Sequence, residues 1–438
     1  MPKKYHFLIT ATNSYGPINA ALGFGELLQR QGHHVIFAHL RKFRHFSESR
    51  GIEFLPFSEG LLRTNDSFIN LMDSCPDSIR KNPLERYRNY SEADKERLSH
   101  MVAEYRRLES CIHKIIAVHQ TQFDALIHGW CDFTSSLFVT NHTVISLQTA
   151  NPLNLYHNGP PYGFGLSTTS DKRLWKEVAQ NFLEANSVNI EKTNEMLRSM
   201  KRPPEFNPLK MVLPPKSVGF YYYPAQLDYE ECLPREPAWH RVDCFIRSPG
   251  VTPLAIPRDF FNKPGKLIYF TLGTAVSNDL GIMRDIISVL AKSPHKFIVS
   301  KGFRGDQLEL ADNMWGENYV DQIRVLELVD LVITNGGNST FMETLYFAKP
   351  LVIIPCFLDQ MDNAQRAVDK KIGYRINLWE FSEQRLLDAI ENALKDVEMH
   401  NRIKEISQSM RNSDSGVQAV RTIERVIEEA KSKNPRHY

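Results

Sequence analysis

Within residues 319–363 the chain gathers an aromatic ring, amides, hydroxyls and carboxylates around one glycine turn. The run Asn335-Gly336-Gly337-Asn338-Ser339-Thr340 follows the short apolar stretch 329–334 and precedes Phe341, Leu345 and Ala348 at helical spacing. A short apolar run between polar turns reads as a buried parallel strand, so the order is strand, glycine turn, helix. Such a turn aims backbone N–H groups and the positive end of the helix at an anion, typically a phosphate. The same glycines can also serve sterics alone. Lys349-Pro350 stops the helix, residues 351–355 supply the next strand, and Asp359-Gln360 follows in the loop beyond its carboxyl end. Ligands of parallel sheets bind at that edge.

Taken as an ordered set, Tyr319-Val320-Asp321-Gln322, Thr334-Asn335-Gly336-Gly337, Thr340, Glu343, Pro350, Pro355, Asp359-Gln360 and Asn363 resemble the donor-binding signature of the UDP-dependent glycosyltransferases of GT-B type, glycosyltransferase family 1. Weaker similarity extends over nearly the whole chain. The resemblance implies an α/β fold of two Rossmann-like domains with parallel sheets facing across a cleft, and a UDP-sugar as co-substrate, UDP-glucose first. It implies that Tyr319 stacks on uracil, that the Val320 backbone and Gln322 meet the uracil edge, and that Glu343 takes the ribose hydroxyls. Thr274, in the turn after the first strand of the second domain, and Asn335, Gly337, Asn338, Ser339 and Thr340 are then the diphosphate cradle. Asp359 and Gln360 match the pair that holds the sugar hydroxyls, which favours a hexose such as glucose.

The chain departs from the family at three positions. Asn335 stands where most members have His, and an amide still donates to a phosphate without becoming cationic. The general base of the family is a His in a Gly-His-x-Asn-like stretch that reads here Gly16-Pro17-Ile18-Asn19. The Asp that orients that His is replaced by Gly129. Without the dyad, three routes stay open. Asp132 or His128, the nearest candidates in sequence, acts as base; or the acceptor is acidic enough to need little help, as a phenol or thiol is; or the protein binds a nucleotide sugar or small molecule without turning it over. A GT-B sugar-phosphate epimerase is a more distant reading, since it lacks the uracil platform at Tyr319.

No Asp-x-Asp pair occurs in the sequence, which argues against a metal-bridged diphosphate. The expected reaction is therefore metal-independent transfer, with inversion, of a hexose to a hydroxyl of a small lipophilic acceptor, and detoxification is the role the resemblance suggests. With a net charge of +2 there is no push toward nucleic acid. The basic start passes straight into a strand pattern with an apolar run too short for a secretory signal, and no stretch reaches the roughly 20 apolar residues of a membrane span. Membrane-anchored animal members carry both features, so the expectation is the soluble branch: a cytoplasmic monomer or weak dimer. The six cysteines lie far apart with no C-x-x-C pair, as reduced buried thiols do.

At 438 residues the chain is too long for one ordinary core. We expect an acceptor-binding Rossmann-like domain at 1–231, a proline-rich linker at 232–264, a UDP-sugar-binding domain at 265–415, and a last helix at 416–438 returning to the first domain. A βαβ unit opens the chain, with strands at 5–10 and 35–40 and Pro17 opening the helix between them. Further strands are expected at 123–128, 144–148, 217–222, 267–271 and 296–300, with helices at 281–291, 383–394 and 417–431. Residues 61–118 and 160–200 read as helical insertions that, in this family, build the acceptor pocket. The aromatics in and beside them, Phe68, Tyr87, Tyr90, Tyr156, Phe164 and Trp175, either pack the core or face the acceptor.

Overall fold

A computed structural model describes residues 3–57, 78–88, 90–119, 123–129, 142–201, 206–210, 214–250 and 253–433. Among the described residues, thirteen strands form two all-parallel sheets. The first contains β1 His6–Ala11, β2 His34–His39, β3 Glu53–Pro56, β4 Ala125–Gly129, β5 Thr143–Gln148, β6 Val218–Tyr222 and β7 Trp239–Val242, in the order β3-β2-β1-β4-β5-β6-β7. The second contains β8 Leu267–Thr271, β9 Lys296–Ser300, β10 Met314–Glu317, β11 Leu331–Thr334, β12 Leu351–Ile353 and β13 Gly373–Arg375, in the order β10-β9-β8-β11-β12-β13. In β4, β5, β8 and β11 every residue is buried, as in parallel strands covered on both faces, and the mostly apolar runs take buried polar residues such as His128, Ser146 and Gln148 with them.

Strand order reverses between β1 and β4 in the first sheet and between β8 and β11 in the second. Connections leave a parallel sheet in opposite directions on the two sides of such a point, so a crevice opens beyond its carboxyl edge. Register fixes the two crevices. Ala11 lies opposite Gly129, and Thr271 lies opposite Thr334.

Several sequence expectations need correction. The stretch 232–264 is not all linker, because β7 pairs with β6 and carries the first sheet through Val242. Trp239 packs there over Gly219, where even a methyl group would come within 2.5 Å of the indole. The helix after β1 spans Tyr15–Arg30 and begins two residues before Pro17, which still lies in the first turn, where no backbone donor is lost. Residues 160–171 hold no helix, and the helices of that insertion are Lys172–Ala185 and Ser187–Ser199. Of the insertion 61–118, the part containing Phe68 lies outside the described residues, while Met101–His119 is its main helix. A helix at Val397–Asn412 was not expected. Helix Ser415–Lys433 packs on β5, β6 and β7, and Lys431 Nζ donates to Asp124 Oδ1 at 2.7 Å.

Cys111, Cys232, Cys244 and Cys356 are free thiols, and Cys75 and Cys131 lie outside the described residues. Among the described residues no helix is long and apolar enough to cross a membrane.

Candidate active site

Beyond β8 the chain turns at Gly273-Thr274, and beyond β11 at Asn335-Gly336-Gly337. Gly273 and Gly336 adopt φ values of 65° and 80°, which only glycine takes without strain. The turns face each other: a Cβ on Gly273 would lie 3.1 Å from Asn335 Nδ2, and one on Gly336 would lie 2.7 Å from Ile353 Cγ2. Helix Asn338–Tyr346 then starts at Gly337 with no side-chain cap. Its early N–H groups find other acceptors: Gly337 N–H donates to Asn335 Oδ1 at 3.3 Å and Asn338 N–H to Asp359 Oδ2 at 3.2 Å. No carbonyl within the helix can reach the N–H groups of Ser339 and Thr340, so these point as donors at whatever lies before the helix.

What lies before it is a cavity of about 250 Å³ between the carboxyl edges of the two sheets. Thr274, Tyr319, Val320, Gln322, Asn335, Gly337, Asn338, Ser339, Thr340, Asp359 and Gln360 line it, facing Ser14, Tyr15, Gly16, Pro17 and Asn19 from the first sheet. These residues come from five separate turns, and only the fold brings them together.

Glu343 is the exception. It is buried and does not line the cavity; its Oε1 lies 3.2 Å from Arg247 Nε, and its Oε2 accepts a hydrogen bond from Gln322 Nε2. A carboxylate buried on the core side of the helix needs a paired charge, and Arg247 supplies it. Burial alone would lower the affinity of the Arg247 guanidinium for its proton, but the charges of Glu343, Tyr319 and Asp321 outweigh burial and hold it above the ordinary value. The side chains of Asn338 and Ser339 also differ from expectation. Asn338 Nδ2 donates to the carbonyls of Thr149 and Tyr222 at 3.1 and 3.3 Å, and Ser339 Oγ donates to Gly16 O at 2.9 Å. They tie the helix to the first sheet.

The Tyr319 ring is 44 % exposed and contacts Phe46 edge-on at 5.3 Å and Tyr15 at 6.0 Å. Burial raises the Tyr319 phenol pKa, against the nearby Arg247 and Arg50 charges. Phe303, beside Tyr15, completes an aromatic wall to which both sheets contribute. Gln322 is fixed by Tyr269 and Thr340, whose hydroxyls donate to its Oε1 at 3.4 and 3.3 Å. Gln360 Oε1 accepts from the backbone N–H groups of Cys356 and Phe357 at 3.2 and 3.4 Å. Between them Leu358 is held at φ 48°, a strained value for a branched side chain. Burial pushes the Asp359 carboxyl up to about 6, although the Asn338, Asn151 and Gln360 backbone groups pull it back down.

His128 does not enter the cavity: it is fully buried within β4, opposite Thr10. Asp132 lies outside the described residues. The two positions from which the dyad is missing are neighbours, because a Cβ on Gly129 would stand 3.7 Å from Pro17 O. Sequence reasoning missed Tyr15, Phe303 and Arg247, each far from the signature along the chain and brought to it only by tertiary packing. Among the described residues, no cluster of three or more His, Cys, Asp or Glu is grouped to hold a metal.

Two switch-point crevices facing one another across a cavity define a GT-B fold with a glycine turn at the carboxyl edge of its second sheet. Residues 256–421 match the family described as UDP-glucoronosyl and UDP-glucosyl transferase. The UDP-glucosyltransferase YdhE of Bacillus subtilis is 29% identical over 191 residues, 42% of this chain and 48% of that protein, so the match spans about half the length of that relative. The NDP-glycosyltransferase YjiC of the same organism is 23% identical over 96% of this chain and 97% of its own length. The crystal structure of the glycotransferase of kitacinnamycin superposes with a TM-score of 0.66 at 18% identity, covering 97% of this chain and 100% of that one. Over residues 256–421 the chain is similar to the UDP-dependent glycosyltransferases of family 1, and its two sheets have the GT-B fold.

Proposed function

We propose that the protein moves a hexose, glucose first, from a UDP-sugar to a nucleophilic group of a small lipophilic acceptor. The observation that carries this reading is the pair of glycine turns, Gly273-Thr274 and Asn335-Gly337, opening with an uncapped helix N-terminus onto a cavity closed by the first sheet. A diphosphate leaving group needs positive potential, and here the N–H groups of Ser339 and Thr340, the Asn335 amide and the Thr274 hydroxyl would supply it without a metal. Tyr319 would carry the base. Asp359 and Gln360 would hold sugar hydroxyls. Displacement at the anomeric carbon from the side of Gly16-Pro17, opposite the diphosphate, gives inversion.

The step that has no obvious agent is removal of the acceptor proton, since proline accepts none. Losing a general base costs about 10²–10⁴ in rate, about 3–5 kcal/mol of barrier. The geometry therefore favours acceptors that ionise readily. A second reading, a nucleotide-sugar-binding protein without turnover, is favoured by the same Pro17 and Gly129. UDP release from UDP-glucose, measured with phenols, thiols and aliphatic alcohols, separates the two. Turnover with phenols or thiols is expected. Turnover of aliphatic alcohols would mean a base elsewhere, with Asp132 the first to substitute, and UDP binding without any turnover would establish the second reading.

A further inference from the structure

The segment that follows β7 and leads to the second sheet carries Arg247, whose guanidinium is buried yet lines the cavity beside Gln322 and Tyr319. A buried guanidinium is costly unless paired, and two carboxylates of the second sheet face it: Glu343 Oε1 at 3.2 Å from Nε, and Asp321 Oδ1 at 3.9 Å from Nη1. The same segment is fastened on both sides. Ser248 N–H and Oγ donate to Glu26 Oε2 at 2.8 and 2.6 Å on the first sheet's helix, while Gly250 N–H donates to Asp321 Oδ2 at 2.6 Å. Arg247 thus sits where the connection between the sheets meets the donor cavity.

We propose that Arg247 is a positioning residue of the nucleotide site, which holds the Glu343 carboxylate in the orientation that receives the ribose of a pyrimidine nucleoside diphosphate. This rests on the reading of the cavity as a UDP site. Glu343 lies directly behind the part of the cavity wall that Arg247 and Gln322 line, and each of its oxygens is engaged by one of them. Without the arginine only Gln322 holds the carboxylate, and the acceptor of the ribose is no longer fixed from both sides.

The test is a double-mutant cycle on UDP affinity, measured by calorimetric titration of the parent, R247M, E343Q and R247M/E343Q, with R247K as the conservative variant. R247M and E343Q are each expected to weaken UDP binding by about 10-fold, and the double variant by no more than the worse single one, because the two act as one unit. R247K is expected to recover part of the loss, and the loss is expected in the donor KM. A change in melting temperature alone does not count as support. R247M binding UDP within about 2-fold of the parent, or losses that multiply to about 100-fold in the double variant, would overturn the proposal. If R247M fails to fold, R247M/E343Q, which removes both buried charges, is compared with E343Q alone, and a further loss of about 10-fold is the overturning result. If the parent itself binds no UDP, the nucleotide-site reading falls, and that outcome is seen on the parent before any variant is made.

Discussion

Pro17 and Gly129 are adjacent across the first crevice, so the absent proton acceptor and its absent partner are a matter of two side chains rather than of a rebuilt loop. A side chain at 129 would meet Ala11 Cβ at 3.4 Å and Ala21 Cβ at 3.7 Å, ordinary contacts. We therefore expect P17H/G129D to raise turnover of aliphatic alcohols by about 10²–10⁴-fold over the parent, with little change for phenols, as read by UDP release. At the opposite wall, Asp359 titrates near 6 because it is buried. Below that pH it is protonated and accepts sugar hydroxyls less well. UDP-glucose affinity is expected to rise about 3- to 10-fold from pH 5 to 7 in calorimetry, and D359N removes the rise. That Tyr319, Gln322, Asn335, Asp359 and Gln360 share one cavity was legible in the sequence because residues 319–363 keep the signature contiguous. Glu343 was read from the sequence as a carboxylate of the site, but its place behind Arg247 was not legible, since the pair lies 96 positions apart in the chain.

Elements buried on both faces announced themselves as apolar runs, and the strands at the centres of both sheets were read from the sequence. The strands it missed, β3, β7, β10 and β13, are the four sheet edges. Each is four residues or fewer and partly exposed, so neither an apolar run nor an alternation develops. The phosphate turn makes the opposite case, because its conformation is demanded by geometry. Gly336→Ala combines φ 80° with a contact 2.7 Å from Ile353 Cγ2, whereas Gly32→Ala at φ 92° meets nothing within 4 Å. Denaturant unfolding is expected to show a cost of about 2–4 kcal/mol for the first and about 1 kcal/mol for the second, and only the first should lose UDP binding.

At the scale of the whole molecule, polar contacts around the cavity join the two sheets. Asn151 Nδ2 donates to Asn363 Oδ1 at 2.8 Å, and Asp362 accepts the N–H groups of Gly163 and Gly165 at 2.7 and 3.0 Å, clasping a loop of the first domain onto helix Asp359–Asp369 of the second. Burial pushes the Asp362 carboxyl up to about 7, the Gly163 and Gly165 N–H groups oppose this, and the charge of Asp359 adds to it. The folded protein then holds a proton that the unfolded chain releases near 4, so this group's contribution to stability falls as pH rises from about 4 to 7. Denaturant unfolding of the parent against D362N should show the parent losing on the order of 1 kcal/mol or more across that range relative to the variant. Neither partner of this clasp was visible in the sequence, because glycines in a loop and an aspartate in a helix carry no mark of each other.

The most direct measurement is a crystal structure of the protein with UDP bound. The expected result has the diphosphate within hydrogen-bond reach of the Ser339 and Thr340 N–H groups and the Thr274 turn, with uracil on Tyr319 and the ribose at Glu343. A nucleotide bound outside this crevice, or bound with its phosphates away from the helix that begins at Asn338, would contradict the assignment of the donor site and the transfer reaction built on it.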